Sequence, residues 1–561
     1  MQPNWSIVMP TQEIHLDIEG MTCPSCAVHV ERALTSVPGV KKATIPGWKS
    51  GRALVEISES VQPEALLEAV AEAGYRARAA AQAPAQHRPV PANRAVDYDL
   101  IVIGTGGGGT AAAIKAAELK ARVAIIEAGT IGGTCVNVGC VPSKTLIRAA
   151  EQAYRAAHSA FAGIHTQTTG IDWPAVRAQK DELVEELRQS KYLDVLAAYP
   201  DHISLIKGRA RLTPEGKVQV GDRILSARGV ILATGARPNF LALPGIDEVE
   251  VLTSTTLMSL DSLPASLVVL GGRAVALELG QAFARLGVRV TILQRSPRLI
   301  PEDEPEIAEA LADSLREEGL DVYTNIHLLG IRQEGSEKVV VAEVKGQQQE
   351  FRAEQVLMAT GRRPNSDDLG LEDAGIRTDR RGFIEVDDYL QTSVAGIYAV
   401  GDVTTLPKFV YTAAAAGGIA AHNALGGEPR RLDLTGLPKV IFTDPQVASA
   451  GLTEREATRQ GFAVQTAVLP MSYVPRALTS FDPRGLIKVV ADIMNDRLLG
   501  VHILAPEAGE MIQVAALAIR HGISISTLTD DFFPYLTNVE GLKLALLALE
   551  KDPAMLSCCA V

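Results

Sequence analysis

Asp99-Leu100-Ile101-Val102-Ile103-Gly104-Thr105-Gly106-Gly107-Gly108-Gly109 reads as a buried strand running into a glycine-rich turn. An alanine-rich helical stretch follows, then a second apolar strand from Arg122 to Ile126 that ends at Glu127. Glycines 104, 106 and 109 in a strand–turn–helix setting form a dinucleotide-binding fingerprint. Gly104 makes the tight turn, Gly106 lets the backbone approach a pyrophosphate, and Gly109 allows close packing of helix on strand. The helix N-terminus faces the negative charge. Glu127 stands 23 residues after Gly104, about where a carboxylate accepts the ribose hydroxyls.

Immediately downstream comes Gly132-Gly133-Thr134-Cys135-Val136-Asn137-Val138-Gly139-Cys140-Val141-Pro142-Ser143-Lys144. A regular helix holds positions five apart at roughly 8–9 Å, and a disulfide needs Cα atoms within about 7 Å. A bridge between Cys135 and Cys140 therefore predicts a distorted first turn, which Gly139 permits and Pro142 tolerates. Helix N-termini also stabilise thiolates. The pattern reads as a redox-active dithiol. Two buried structural thiols are the plainer reading of the spacing alone, and the nucleotide fold beside them argues against it.

This stretch resembles the active-site signature of the pyridine nucleotide–disulfide oxidoreductase family, the group of glutathione reductase and lipoamide dehydrogenase. The resemblance implies FAD as the first nucleotide, with Cys140 as the thiolate against the flavin and Cys135 as the outer, exchanging thiol. It implies Lys144 near the flavin ring, and Gly129, Thr134 and Ala210 in contact with the cofactor. Ile397-Tyr398-Ala399-Val400-Gly401-Asp402 resembles the family's second FAD motif, with Asp402 reaching the ribityl chain and Val410 nearby. A helix beginning at Thr412 would direct its positive end at the ring.

A second nucleotide fold starts near Ser266. The strand Leu267–Leu270 leads into Gly271-Gly272-Arg273-Ala274-Val275-Ala276, and a helix runs on through Arg285. Gly271 and Ala276 keep the fingerprint spacing, but Arg273 replaces the second glycine. The next strand, Val288 to Leu293, ends in Gln294-Arg295 rather than at a carboxylate. NAD sites carry an acid there for the 2′-hydroxyl, whereas an arginine suits a 2′-phosphate. NADPH is therefore expected, with Arg295 on the phosphate; a solvated basic turn is the alternative. By the resemblance, Glu278 supports the nicotinamide side. Ala233-Thr234-Gly235 and Ala359-Thr360-Gly361 resemble the family's two crossings between its nucleotide domains.

The chain has 561 residues, 47% apolar and 21% charged, with a net charge of −12. That length predicts about three or four domains, and the acidic balance argues against nucleic acid or an anionic membrane as partner. No apolar run reaches the ~18 residues of a membrane helix, and no secretory signal is read at the start. A cytoplasmic protein is expected. All six cysteines fall in close pairs, which in a reducing compartment favours metal or redox chemistry.

One pair, Cys23/Cys26, opens the chain. Residues 11–79 read as β-α-β-β-α with a final strand at Tyr75–Ala79. With Gly20-Met21-Thr22-Cys23-Pro24-Ser25-Cys26 they resemble a heavy-metal-associated domain. Cys23 and Cys26 would then bind a soft cation as thiolates. Residues 80–96, rich in alanine and proline, read as a flexible tether.

From about residue 436 onward, Phe442–Ala448 and Ala505–Glu510 resemble the family's dimerisation domain. Thiol-reducing members carry a His-Pro-Thr motif there; the corresponding stretch here is Tyr535-Leu536-Thr537. A tyrosine, with an ordinary pKa near 10, is a poor proton shuttle at neutral pH. The chain ends in Cys558-Cys559-Ala560-Val561. Adjacent Cα atoms stand about 3.8 Å apart, short of the usual disulfide range, so this pair suits capture of a soft metal; an incidental tail is the alternative.

The expected architecture is α/β: two Rossmann-like domains, FAD at 97–233 and 361–433 and NADPH at 234–360. An α+β dimerisation domain at 436–561 follows, and a small ferredoxin-like metal domain precedes. The three cysteine pairs and Tyr535 resemble the branch of the family that reduces Hg(II). That resemblance implies thiol-bound Hg(II) as substrate and a homodimer whose sites are shared across subunits. Cys558 and Cys559 would deliver metal to Cys135 and Cys140, Tyr192 and Tyr535 would stand near it, and a membrane transporter would hand it over. A lipoamide dehydrogenase, another thiol–disulfide reductase and a non-enzymatic metal buffer are the alternatives.

Overall fold

The computed structural model describes residues 12–21, 24–45, 51–57, 61–79 and 96–555. The expectations for Cys23, for the tether over 80–95 and for Cys558 and Cys559 lie outside the described residues.

The first unit runs β1 (Gln12–Glu19), α1 (Pro24–Thr35), β2 (Val40–Thr44), β3 (Arg52–Ile57), α2 (Pro63–Glu72) and β4 (Arg76–Ala79). Its antiparallel sheet has the order β2-β3-β1-β4, the βαββαβ arrangement expected. Leu16 and Val55 of the sheet bury against Val30 and Leu34 of α1 and Leu66 and Val70 of α2. Helix α1 begins at Pro24, since proline's fixed φ and missing N–H suit a first turn.

The next unit begins with β5 (Tyr98–Ile103), α3 (Gly107–Glu118), β6 (Val123–Glu127), α4 (Gly133–Val138), α5 (Cys140–Ala157), α6 (Trp173–Arg188), β7 (Ile203–Lys207) and β8 (Ala227–Leu232). The chain then builds a second parallel sheet: β9 (Ser266–Leu270), α7 (Ala274–Arg285), β10 (Arg289–Leu293), α8 (Pro305–Glu317), β11 (Asp321–Tyr323) and β12 (Gln355–Met358), in the order β11-β10-β9-β12. It returns through β13 (Ile397–Ala399), which pairs with β8 and completes the first sheet as β13-β8-β5-β6-β7. Ile103 is level with Ile126 on one side and Leu232 on the other. The carboxyl ends of three strands therefore open beside Gly104, where parallel sheets hold their ligands.

Helix α9 (Val410–Ala424) lies across α3. It begins at Val410, not Thr412, because Phe409 still has the extended backbone of an N-cap. The two helices are small where they cross: Ala112, Ala113, Ala416 and Ala420 are fully buried. A Cβ on Gly417 would overlap the Gly108 carbonyl.

The last unit is an antiparallel sheet of β14 (Lys439–Ile441), β15 (Gln446–Gly451), β16 (Val464–Pro470), β17 (Leu486–Asp492) and β18 (Arg497–Ala505), covered by α10 (Ala508–His521) and α11 (Glu540–Leu547). Lys488 on β17 is only 2% exposed and bonds Glu304 and Glu306 at the start of α8 and Glu454, each at 2.8–2.9 Å. This buried charge joins the last unit to the second sheet. Removing one partner of such a cluster costs about 3–5 kcal/mol.

Gly417→Ala is expected to lower the thermal unfolding midpoint by several degrees, since overpacking against a backbone costs about 1–3 kcal/mol. Gly418→Ala is the control: nothing stands within 4 Å of a Cβ there, and helix propensity favours alanine by about 1 kcal/mol. Calorimetry of both variants checks the pair; equal midpoints would contradict the packing account.

Candidate active site

Cys135 lies inside α4, and Cys140 is the first residue of α5. The distorted turn expected from the spacing is a break between two helices. Gly139 forms it with φ −125° and ψ −113°. A Cβ there would stand 2.9 Å from the Thr134 carbonyl oxygen and 3.2 Å from the Cys135 Cα, so the chain folds this tightly only around glycine. Both cysteines are free thiols.

The two sulfurs are unequal. The Cys135 thiol donates a hydrogen bond to Cys140, and this is the largest cause holding the Cys140 thiol down to about 7. The Lys144 ammonium assists, while burial and the Glu278 carboxylate oppose. The same hydrogen bond, burial and the Cys140 charge push the Cys135 thiol well up. The arrangement is a protonated Cys135 thiol beside a Cys140 sulfur that is ionised near neutral pH.

Lys144, one turn along α5, donates to Glu278 Oε2 at 2.6 Å. Glu278 is 7% exposed on α7, and its Oε1 accepts from the Phe442 N–H at 2.9 Å. The Phe442 ring lies 4.6 Å beneath the Lys144 ammonium, within cation–π range. Dithiol helix, second sheet and last unit thus meet at one ion pair.

Tyr192 sits in a π-helical turn, Gln189–Leu193, after α6; such turns concentrate at functional sites. Its ring lies against Gly132, 3.4 Å from where a Cβ there would stand. Burial, then the Cys135 and Cys140 charges, raise its hydroxyl, so it stays a donor. Sequence reasoning missed Tyr411. Its hydroxyl donates to the Pro438 carbonyl, and burial with the Cys140 charge pushes it up to about 12. Its only signal was its place next to Val410.

A cavity of about 670 Å³ opens at the first fingerprint, lined by Gly104, Gly106, Glu127, Thr134 and Ala210. Gly104 has φ +107° and presses on the Ala233 carbonyl. A Cβ on Gly106 would meet no protein atom nearer than 3.9 Å; it would take up space that the α3 N-terminus offers to an anion. Glu127 accepts from the Thr105 N–H and hydroxyl at 3.1 and 2.5 Å, and from the Gly129 N–H at 2.7 Å. Val410 packs over Gly107. Asp402 stands 3.5 Å from Arg362. The Arg362 Nε is buried without a hydrogen-bond partner, and burial depresses its pKa. Arg362 follows the second Ala-Thr-Gly crossing and was also missed. The cavity and the anion-ready turn fit FAD.

The second fingerprint repeats the geometry. Gly271 has φ +125°, and a Cβ on it would stand 2.5 Å from the Ala359 carbonyl oxygen, as Gly104 meets Ala233. Ala276 is buried in α7. Gln294 is buried, while Arg295 is exposed. Arg298, which the sequence reading passed over, has a buried Nε without a partner. These cations, in a loop that folds onto the turn before α7, fit a dinucleotide phosphate.

Other expected residues stand apart. Cys26 is buried in α1, and Tyr535 is 58% exposed in the loop before α11. Among the described residues no group of three or more His, Cys, Asp or Glu is placed to hold a metal. No helix among them is long and apolar enough to cross a membrane.

Alkylation of the reduced protein should report the asymmetry. Cys140 is expected to react with a midpoint near pH 7, rising with pH as the thiolate forms, and Cys135 to react first only at much higher pH. Cys135→Ala removes the donor and should move the Cys140 midpoint upward; mass mapping across a pH series reads both sites. An unmoved midpoint would contradict the hydrogen-bond account.

Comparisons with known proteins place this geometry. Residues 98–417 match the pyridine nucleotide-disulphide oxidoreductase family, 437–546 its dimerisation domain, and 15–76 the heavy-metal-associated domain. A mercuric reductase of Staphylococcus aureus is 44% identical over 552 residues, covering 98% of this chain and all of that protein. One from Shigella flexneri is 44% identical over 97% of this chain and 99% of its own length. One from Streptomyces lividans is 45% identical over 82% and 98%. Among solved structures, the HOCl-induced flavoprotein disulfide reductase RclA from Escherichia coli superposes with a TM-score of 0.72 at 31% identity. It covers 80% of this chain and 99% of that one. Dithiol, paired nucleotide folds and full-length matches agree: the chain belongs to the pyridine nucleotide-disulphide oxidoreductase family, in the group formed by the mercuric reductases.

Proposed function

We infer that the protein is an NADPH-dependent flavoenzyme that reduces thiol-bound Hg(II) to Hg(0). The observation that carries the reading is the unequal Cys135–Cys140 dithiol in a chain that matches mercuric reductases end to end.

Two sulfurs grip a soft cation by stepwise exchange, so the metal need never be free. The Cys140 thiolate attacks Hg(II) held by the two thiolates that deliver it, those of Cys558 and Cys559, and displaces one as a thiol, taking up a proton. Cys135 then loses its proton as it displaces the second, leaving Hg(II) between the two protein sulfurs. FAD held at the Gly104–Gly109 turn and Glu127 would supply, from NADPH, the two electrons that convert this Hg(II) to Hg(0). Both protein thiolates are released unoxidised, and Cys135 recovers its proton. Lys144 balances negative charge through its Glu278 partner, and the Tyr192 hydroxyl offers a donor to the outer sulfur.

Gly104, Gly106, Gly109, Glu127, Gly129, Thr134, Ala210, Asp402 and Val410 serve FAD in this reading, within 97–233 and 361–433. Gly271, Ala276, Glu278 and Arg295 serve NADPH within 234–360. The unit from 436 onward pairs two copies, so that Tyr535 and the Cys558/Cys559 tail of one serve the dithiol of the other. Cys23 and Cys26 collect Hg(II), received from a membrane transporter, and the thiol chemistry calls for a reducing cytoplasm. Thiol–disulfide reduction is disfavoured by Tyr535 where thiol reductases carry histidine.

The test is NADPH oxidation with Hg(II) in excess thiol, beside oxidised glutathione and lipoamide. Turnover with Hg(II) and release of metal vapour is expected; turnover on a disulfide alone would falsify the assignment. Cys140→Ala is expected to retain flavin and lose reduction. Deletion of residues 1–96 should leave purified activity within about twofold, since the first unit lies outside the nucleotide folds; an inactive truncation would make it part of the catalytic core.

A further inference from the structure

The second fingerprint breaks its pattern at Arg273, which stands where the second glycine is expected. The backbone does not require glycine there. Arg273 is the N-cap of α7 with φ −116° and ψ −177°, extended geometry open to any residue. Gly106, its counterpart at the N-cap of α3, is likewise extended at φ −64° and ψ 178°. Glycine at this position therefore serves to leave room for a pyrophosphate. An arginine gives up that room and brings a guanidinium to the same place.

That guanidinium is 63% exposed and donates to Glu302, itself 60% exposed. The loop between them is folded onto the glycine turn. The Ile300 N–H donates to the Gly272 carbonyl at 2.9 Å, and Leu299 lies 2.8 Å from where a Cβ on Gly272 would stand. Arg298, with its unpartnered Nε, and exposed Arg295 belong to this loop. The carboxylates beside Glu302 are committed elsewhere: Asp303 faces Ser449 and Glu304 holds Lys488. Glu302 is thus paired only through an exposed, screened contact, which is weakly held. A phosphate, doubly accepting and planar-matched to a guanidinium, is the stronger partner.

We propose that Arg273 is a pyrophosphate-binding residue for the nicotinamide dinucleotide, its guanidinium leaving Glu302 for the phosphate when the nucleotide binds. The proposal rests on the assignment of this fold to NADPH. It gives each phosphate group its own cations: Arg273 for the pyrophosphate, Arg295 and Arg298 for the 2′-phosphate.

The test is equilibrium binding to the full-length, flavin-loaded, oxidised protein without mercury, by calorimetry at low and moderate salt. The ligands are NADP⁺, NAD⁺ and adenosine 2′-monophosphate, which has the 2′-phosphate but no pyrophosphate. Arg273→Gly is expected to weaken NADP⁺ and NAD⁺ by about tenfold at low salt, the loss of one charge-assisted contact. It should flatten the salt dependence and leave adenosine 2′-monophosphate unchanged. Glu302→Gln, which frees the guanidinium, should tighten NADP⁺ by about two- to threefold, the scale of an exposed pair. Arg273→Gly binding NADP⁺ as tightly as the parent, or losing adenosine 2′-monophosphate to the same degree, would overturn the proposal while leaving the NADPH assignment standing. A parent protein that binds adenosine 2′-monophosphate and NADP⁺ not at all would overturn both.

Discussion

Glu278 holds the site together. One carboxylate oxygen takes the Lys144 ammonium from the dithiol helix, and the other takes the Phe442 N–H from the last unit. The group is almost fully buried, so the attraction is little screened and an unpaired partner would be costly. The dithiol helix, α7 and the last unit therefore share one register beside the Cys135–Cys140 pair. The Phe442 ring closes the remaining face of Lys144, which leaves the ammonium directed and its charge felt by Cys140.

Around that tie the two nucleotide folds repeat one solution. In each, the first glycine of the turn has a positive φ and sits against the carbonyl of an alanine, Ala233 or Ala359, at the start of an Ala-Thr-Gly crossing. The crossings are themselves joined: Thr234 and Asn365 exchange hydrogen bonds at 2.7 and 2.9 Å, and Thr360 donates to the Asn239 carbonyl at 3.1 Å. Glycine is needed for the close approach as well as for the dihedral. The same economy of volume lets α9 lie on α3 largely through alanine and glycine.

The chemistry depends on an asymmetry that the break at Gly139 creates. With the two cysteines on successive helices, one sulfur donates and the other accepts. A continuous helix would have held them apart. The thiolate forms at the end that also feels Lys144, and the protonated thiol remains on the side where Tyr192 stands. This polarity suits a substrate that arrives with two sulfur ligands and must exchange them one at a time.

Local pattern was enough for much of this. Gly104, Gly106, Gly109 and Glu127 identified the first fold because turn, helix and strand spacing are set by backbone sterics and read directly from residue type. Cys135 and Cys140 were legible for the same reason, and the β-α-β-β-α order of residues 11–79 with the Gly20–Cys26 sequence revealed the heavy-metal-associated unit. Tyr411, Arg298 and Arg362 were not legible. Each matters through a neighbour more than twenty residues away or through a buried atom without a partner, and no local period records either. Residue type and spacing determined that the chain binds two nucleotides and carries a dithiol. Only the folded turn at Gly139, which brings the Cys135 thiol onto Cys140 beside Lys144, decided which sulfur is ionised, because a pKa is set by the hydrogen bonds, charges and burial that folding brings together.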